Sequence, residues 1–315
     1  MAQTIASFDT AHSGTIHDAQ TDYYGRRLAT ASSDNSVRIW DVSTEQQAFL
    51  AELRGHEAPV WQVSWSHPKF GSLLASCAYD KSVIVWKETR AGTWEQIYRD
   101  ATHTGSVNSI AWCPWEYGLA FATASADGSV AVTTFKGGNS WERKVIHRAH
   151  LYGANAVSWA PATSPATLAS GPAVDSAQLA AKRIVSGGCD DKVKIWREGD
   201  DGEWIEVHEA SGHSDWVRDV AWRPNVGIPS NTIASCSEDK TVLIWTQDMD
   251  GKPWKVGFTL NMGAPVWRLS WSLTGSLLAV ACADNSVSLF KENADDGEWV
   301  LVNSLNEQGA INPTL

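Results

Sequence analysis

Short apolar runs, interrupted by polar residues and closed at both ends by turn formers, recur along the whole chain. Val60, Val63 and Trp65 in HEAPVWQVSW (56–65), and Val217, Val220 and Trp222 in HSDWVRDVAW (213–222), show the form. Runs this short, rich in Val, Ile and Trp, predict buried strands, and no window sustains a helical period. A second block follows each run: TASSDNSVRIW (30–40), SCAYDKSVIVW (76–86), TASADGSVAVT (123–133), SGGCDDKVKIW (186–196), SCSEDKTVLIW (235–245) and VACADNSVSLF (280–290). All six carry Asp at the fifth position: Asp34, Asp80, Asp127, Asp190, Asp239 and Asp284. Two strands flank that Asp turn, and a last one follows an Asp-Gly or Gly-rich hairpin turn, as in GTWEQIY (92–98) and GEWIEV (202–207). Four short strands per repeat, at a period of about 47 residues, predict an all-β, six-bladed propeller.

Composition sharpens this picture. With 315 residues, 43% apolar and 19% charged, the chain can bury a large core without disulfides or metals. Tryptophan is over-used, at 18 copies against 7 Phe, which asks for a repeated structural task. The net charge of −11 repels phosphate backbones and anionic lipid, so no nucleic-acid partner is expected. The five cysteines (77, 113, 189, 236 and 282) form no C-x-x-C pair and read as reduced thiols of a cytosolic or nuclear protein. Cys77 and Cys236 share one strand position and read as small packing residues. The opening MAQTIASFDTAHSG lacks the pattern of a signal peptide, and no apolar stretch is long enough for a membrane span.

Chemistry finds little purchase. Outside the repeat positions only His17, His67, His147 and His208 remain, with no metal-like cluster, phosphate loop or nucleophile elbow, so neither enzymatic activity nor a cofactor is expected. Asp248-Met249-Asp250-Gly251 and Asp295-Asp296-Gly297 lack the distant Glu of a calcium loop and read as hairpin turns.

Gly55-His56, Gly212-His213, the S-x-x-x-D-x-[ST]-V-x-I-W runs and Trp40-Asp41 resemble WD40 repeats. The resemblance implies a hydrogen-bonded tetrad of His, Ser or Thr, Asp and Trp in each blade: His12, Thr30, Asp34 and Trp40; His56, Ser76, Asp80 and Trp86; His150, Ser186, Asp190 and Trp196; His213, Ser235, Asp239 and Trp245. The third copy has Thr133 in place of Trp, and the sixth has Met262, Val280 and Phe290 around a lone Asp284. TIHDAQTDYYGRRLATASSD (15–34), LRGHEAPVWQVSW (53–65) and GHSDWVRDVAW (212–222) resemble the secretory-thirteen family of WD-repeat proteins more closely still. That resemblance implies a scaffold subunit shared by the outer cage of the coat protein complex II vesicle coat and the Y-shaped nuclear pore scaffold. It also implies an open propeller completed by a β-blade from α-solenoid coat and nucleoporin subunits, in hetero-oligomeric assemblies without direct membrane insertion. The expected locations are the cytoplasmic face of the ER and its vesicles, the nuclear pore, and the lysosome or vacuole surface, where a related nutrient-signalling complex acts.

The blades run roughly over 12–53, 54–100, 101–147, 148–209, 210–260 and 261–305 of a single domain, with a loop insertion at 163–178 and a tail at 306–315. Residues 298–305 complete the sixth repeat, which leaves Thr4, Ile5, Ala6, Ser7, Phe8 and Asp9 as an outer strand without a blade. A seventh position short of three strands would then be open to β-augmentation by a partner. The alternative is a ring closed by those N-terminal residues, an adaptor presenting a peptide pocket on its axial face. His17, Trp61, Asn108, Asn155, Arg218 and Trp267, just inside each first strand, are the residues that would line that face or pack between blades, with His17, Trp61, Arg218 and Trp267 the candidate contacts.

Overall fold

The computed structural model describes residues 8–162, 181–224, 230–248, 251–293, 297–306 and 309–311. Among these, regular structure is β apart from two single 3-10 turns, Pro68–Phe70 and Trp115–Tyr117. The chain divides into two compact units, Ala6–Ala154 and the segment beginning at Asn155.

The first unit holds three four-stranded antiparallel meanders. They are β1 (Ile16–Thr21), β2 (Arg27–Ser32), β3 (Ser36–Asp41) and β4 (Ala48–Arg54); β5 (Val60–Trp65), β6 (Leu73–Ala78), β7 (Val83–Arg90) and β8 (Thr93–Asp100); β9 (Val107–Trp112), β10 (Ala120–Ser125), β11 (Val130–Gly137) and β12 (Ser140–Ile146). The second unit repeats the plan with β13 (Ala154–Trp159), β14 (Arg183–Gly188), β15 (Lys192–Glu198) and β16 (Trp204–Ser211), then β17 (Val217–Trp222), β18 (Asn231–Ser237), β19 (Thr241–Gln247) and β20 (Lys255–Asn261). Its last sheet is β21 (Val266–Trp271), β22 (Leu277–Cys282), β23 (Val287–Glu292), β24 (Trp299–Asn306) and β25 (Gly309–Ile311).

Each Asp block is the hairpin between the second and third strands of a blade. The residue after the Asp takes a left-handed backbone in all six: Asn35, Lys81, Gly128, Asp191, Lys240 and Asn285. Five of these are not glycine, and the Asp offsets the strain by accepting backbone N–H groups across the turn, as Ser36 N to Asp34 and Thr241 N to Asp239 show.

Within each unit the sheets stack face to face. Ala29, Ala31, Val37 and Ile39 of the first blade meet Val60, Val63, Leu74 and Ile84 of the second, all fully buried. Burying a Val, Leu or Ile side chain contributes about 1.5–3 kcal/mol, so these contacts supply much of the folding energy. The tryptophans have a repeated task here. The Trp ending a blade's first strand meets, edge to face, the Trp opening its fourth: Trp65 with Trp94 at 5.8 Å, Trp159 with Trp204 at 5.8 Å, Trp222 with Trp254 at 5.6 Å and Trp271 with Trp299 at 5.4 Å. In the third blade Trp112 and Trp141 hold Phe121 between them, at 5.4 and 5.9 Å.

Two sequence expectations change. The tail at 306–315 contains a strand: β25 pairs antiparallel with β24, Ser304 opposite Ile311. The exposed outer edge of the sixth blade is what makes this addition possible, since it leaves a row of backbone groups to be paired. The strand expected over 4–9 does not include its last two residues. Asp9 turns its carboxylate to the N–H of Ala11 at 2.7 Å, and Ala11 takes a left-handed backbone that carries the chain off a strand path. Phe8 rests edge-on against Trp40, 5.3 Å away. Residues 4–7, the insertion at 163–178, Met249-Asp250 and Asp295-Asp296 lie outside the described residues.

Candidate functional site

Tetrads close fully in two blades. His56 places Nε2 2.8 Å from the Ser76 hydroxyl and Nδ1 3.1 Å from Asp80, while the Trp86 indole N–H donates to Ser76 at 2.9 Å. His213, Ser235, Asp239 and Trp245 repeat this at 2.8, 3.0 and 2.8 Å. A fifth member joins: Ser82 and Thr241, two residues past the Asp, donate to its other oxygen at 2.7 Å in both blades. In the fourth blade Trp196 donates to Ser186 at 2.9 Å, and the Lys192 N–H to Asp190 at 3.4 Å; His150, buried, belongs to the first unit.

The first blade departs from expectation. His12 reaches Thr30 and Asp34, each at 2.8 Å, but the Thr30 hydroxyl donates to the Arg38 carbonyl and the buried Trp40 N–H has no partner. Its indole packs instead against Phe8 and Phe49, each at 5.3 Å. The third blade goes the other way: His103 engages Thr123 at 3.0 Å and Asp127 at 3.1 Å without any Trp, a triad the sequence reading left out because it looked for four members. Asp284 holds only its own turn through Ser286 and is exposed.

These groups bear on pH. Burial pushes the carboxyls of Asp34, Asp80, Asp127 and Asp239 up, yet hydrogen bonds from the turn hydroxyls, the His partners and backbone N–H groups outweigh it and hold all four below the usual range. Burial lowers His103 and His213 despite their Asp neighbours. In both cases the unfolded chain binds more protons, so the stability they contribute is lost as pH falls, below about 6.5 for the His and below about 4 for the Asp. The urea midpoint should therefore drop from pH 7 to pH 4 as the His groups protonate, and further below pH 4, where Asp239→Asn should flatten the curve; a midpoint independent of pH from 7 to 3 would contradict the assignment.

The candidate axial residues lie at β-bulges. Register slips at His17, Trp61, Asn108, Arg218 and Trp267, each one residue into the first strand of its blade. Their side chains bridge blades. His17 meets Trp61 at 4.4 Å, the Trp61 N–H donates to Ser106 at 2.9 Å, the Asn155 amide donates to the Val217 carbonyl at 2.9 Å, and Arg218, paired with Glu238, lies over Trp216 and Trp267.

The residue after the bulge does what the sequence reading missed. Asp18, Gln62 and Asp219 accept the backbone N–H of Val63, Ile110 and Leu269 in the next blade, at 3.0, 2.7 and 2.9 Å. Two residues further along the next blade's strand, the terminal Trp reaches back: Trp65, Trp112 and Trp271 donate to the carbonyls of Gln20, Ser64 and Ala221 at 3.0, 2.8 and 3.1 Å. Constant offset from the bulge was the available signal. No group of three or more His, Cys, Asp or Glu side chains placed to hold a metal occurs among the described residues. Cys77 and Cys236 are fully buried, and burial pushes the Cys236 thiol well above its ordinary value.

One face breaks the pattern. Each later blade buries the apolar residue that opens its first strand, as Val60, Val107, Val217 and Val266 do at 0% exposure, but Ile16 is 42% exposed. Ala19 is exposed where Val63, Ile110, Val220 and Leu269 are buried, and Leu28 is half-buried where Leu74, Phe121, Ile184, Ile233 and Leu278 are buried. Phe49 is exposed beside them. The backward-reaching Trp is absent as well, because β1 ends in Thr21.

Six antiparallel meanders with an Asp hairpin in each, and His–Asp–hydroxyl networks in the first, second, third and fifth, define a six-bladed WD-repeat β-propeller. The WD domain, G-beta repeat family matches residues 3–41, 47–87, 94–132, 204–246 and 255–291. The Protein SEC13 homolog of Drosophila melanogaster is 48% identical over 303 residues, covering 96% of this chain and 84% of that protein. The Protein transport protein SEC13 homolog A of Arabidopsis thaliana is 57% identical over 294 residues, 92% of this chain and 95% of its own. The Protein transport protein sec13 of Schizosaccharomyces pombe is 52% identical over 305 residues, 96% of this chain and all of that protein. The chain belongs to the SEC13 family.

Proposed function

We propose that the protein is a non-enzymatic scaffold subunit of protein transport, which binds a helical-repeat partner by taking partner strands onto the first blade. The exposure of Ile16 at a position every other described first strand but β13 fills with a fully buried valine carries this reading, because apolar positions that the later blades bury are left open there. The transport names of the relatives from Arabidopsis and Schizosaccharomyces support the process. The outer cage of ER-derived vesicles and the nuclear pore scaffold are the assemblies proposed, with the nutrient-signalling complex at the lysosome or vacuole a third, and residues 4–9 are proposed to contribute to the same contact. The axial adaptor reading is less well supported, since the bulge side chains are engaged between blades.

Affinity purification of the tagged chain, read by mass spectrometry, tests the proposal. Large helical-repeat coat subunits should co-purify in near-equal amounts. Recovery of ubiquitin-ligase components in their place would sink the reading.

A further inference from the structure

A row of aromatic side chains crosses the first unit on the connections between the first and second strands of its three blades. Tyr24 and Tyr23 stand in the turn after β1, 5.1 Å apart edge to face. Tyr23 meets His67 at 4.9 Å, and His67 stacks on Trp115 at 5.3 Å. These residues come from three loops more than forty positions apart in sequence, so the fold, not local sequence, assembles the row.

Its rings are held in place yet open to solvent. Tyr23, Tyr24 and Trp115 are exposed, while the Lys69 N–H donates to the His67 imidazole at 3.2 Å and fixes that ring at the head of the first 3-10 turn. Beside the row lies a cleft of about 250 Å³ whose lining includes Tyr23, Tyr24, Trp65 and Pro68 together with the charged Asp22, Arg26 and Arg27. Cations flank it at both ends: Lys69 stands 4.5 Å from the Trp115 ring and Arg26 5.9 Å from Tyr24. Neither forms a salt bridge among the described residues. Of the nearby carboxylates, Asp22 is occupied by the backbone N–H groups of Arg26 and Arg27 at 2.8 and 3.2 Å, and Glu116 adjoins Trp115. Arg26 also bears electrostatically on the Asp41 carboxylate. On a chain of net charge −11, an exposed aromatic row with cations at both ends is a local exception.

We propose that this row is a docking site for an extended, proline-bearing acidic peptide of a partner protein. Exposed Tyr and Trp faces suit pyrrolidine rings, and a polyproline II segment is already extended, so it loses little entropy on binding. Tyr23 and Trp115 each lie about 5 Å from His67, so the three rings span no more than about one polyproline II turn of roughly 9 Å. Carboxylates beside the prolines meet Arg26 and Lys69. The site uses neither the exposed face of the first blade nor its partner, and stands independently of that reading.

Fluorescence anisotropy of a labelled peptide of about nine residues, built from Pro-Pro-Glu repeats, tests it on the full chain. Wild type should bind with a dissociation constant on the order of 10–100 µM. Trp115→Ala and the double variant Arg26→Glu, Lys69→Glu should each weaken binding by about tenfold or more at an unchanged melting temperature, and the double variant should prefer Pro-Pro-Lys repeats. Equal binding of Gly-Gly-Glu repeats, undiminished binding by Trp115→Ala, or no binding by wild type at millimolar peptide would each overturn the proposal.

Discussion

Asp239→Ala and Trp245→Ala will each lower the unfolding free energy by about 3–5 kcal/mol, while Asp284→Ala will cost less than about 1 kcal/mol. Removing the Asp239 carboxylate strands His213 Nδ1 and the N–H groups of Ser214 and Thr241, all held at 2.9–3.0 Å. Removing the Trp245 indole empties a buried volume and takes the donor from Ser235. Asp284 is exposed and bonds only to Ser286, so its loss leaves no buried group unpaired. A finer contrast comes from the indole nitrogens. Trp40→Phe deletes a buried N–H without a partner and should be neutral or mildly stabilising, whereas Trp245→Phe should cost about 1 kcal/mol through the bond it breaks. Urea unfolding of the five variants settles this; equal costs for Asp239 and Asp284 would remove the basis for the networks as stabilising units.

Ile16→Glu together with Leu28→Glu will abolish co-purification of partners and leave the melting temperature of the isolated chain within about 2 °C of wild type. The equivalent change in the next blade, Val60→Glu, will unfold the protein or cost more than about 4 kcal/mol, because Val60 is fully buried among Ala29, Val37 and Leu74. The two sites occupy the same place in successive blades, and only their surroundings differ. Destabilisation of the double variant comparable to Val60→Glu would mean that the first blade's face is already covered.

The six Asp hairpins and the four-strand repeat were legible because each depends on residues close in sequence: the Asp, the residue two positions on, which is a hydroxyl in every copy but the fourth, and the residue between them that takes a left-handed backbone. The blade-internal tetrads were proposed through resemblance, and in the second and fifth blades their four members lie within hydrogen-bonding distance of one another. What escaped depends on neighbours about one repeat away. Asp18, Gln62 and Asp219 look like ordinary polar strand residues until the next blade places a backbone N–H beside them. Trp40 matches its repeat position, but its ring follows Phe8 and Phe49, so the expected hydrogen bond is not made. β25 follows a complete blade and carries no repeat signature; pairing with an available edge is the cause of its strand form. The exposure of Ile16 could not be read from sequence either, since an apolar residue at that position looks the same whether or not a sheet covers it.

Hydrogen–deuterium exchange over residues 16–21, in the isolated chain and in the purified complex with its partner, tests the role of the first blade most directly. Asp18 protects the Val63 amide inside the chain, and the corresponding Ala19 amide should gain protection only when partner strands cover it. The expected result is fast exchange of part of β1 in isolation, slowing by about tenfold or more on binding, with β5 protected in both states. Protection of β1 equal to that of β5 in the isolated chain, or no change on binding, would contradict strand donation to the first blade.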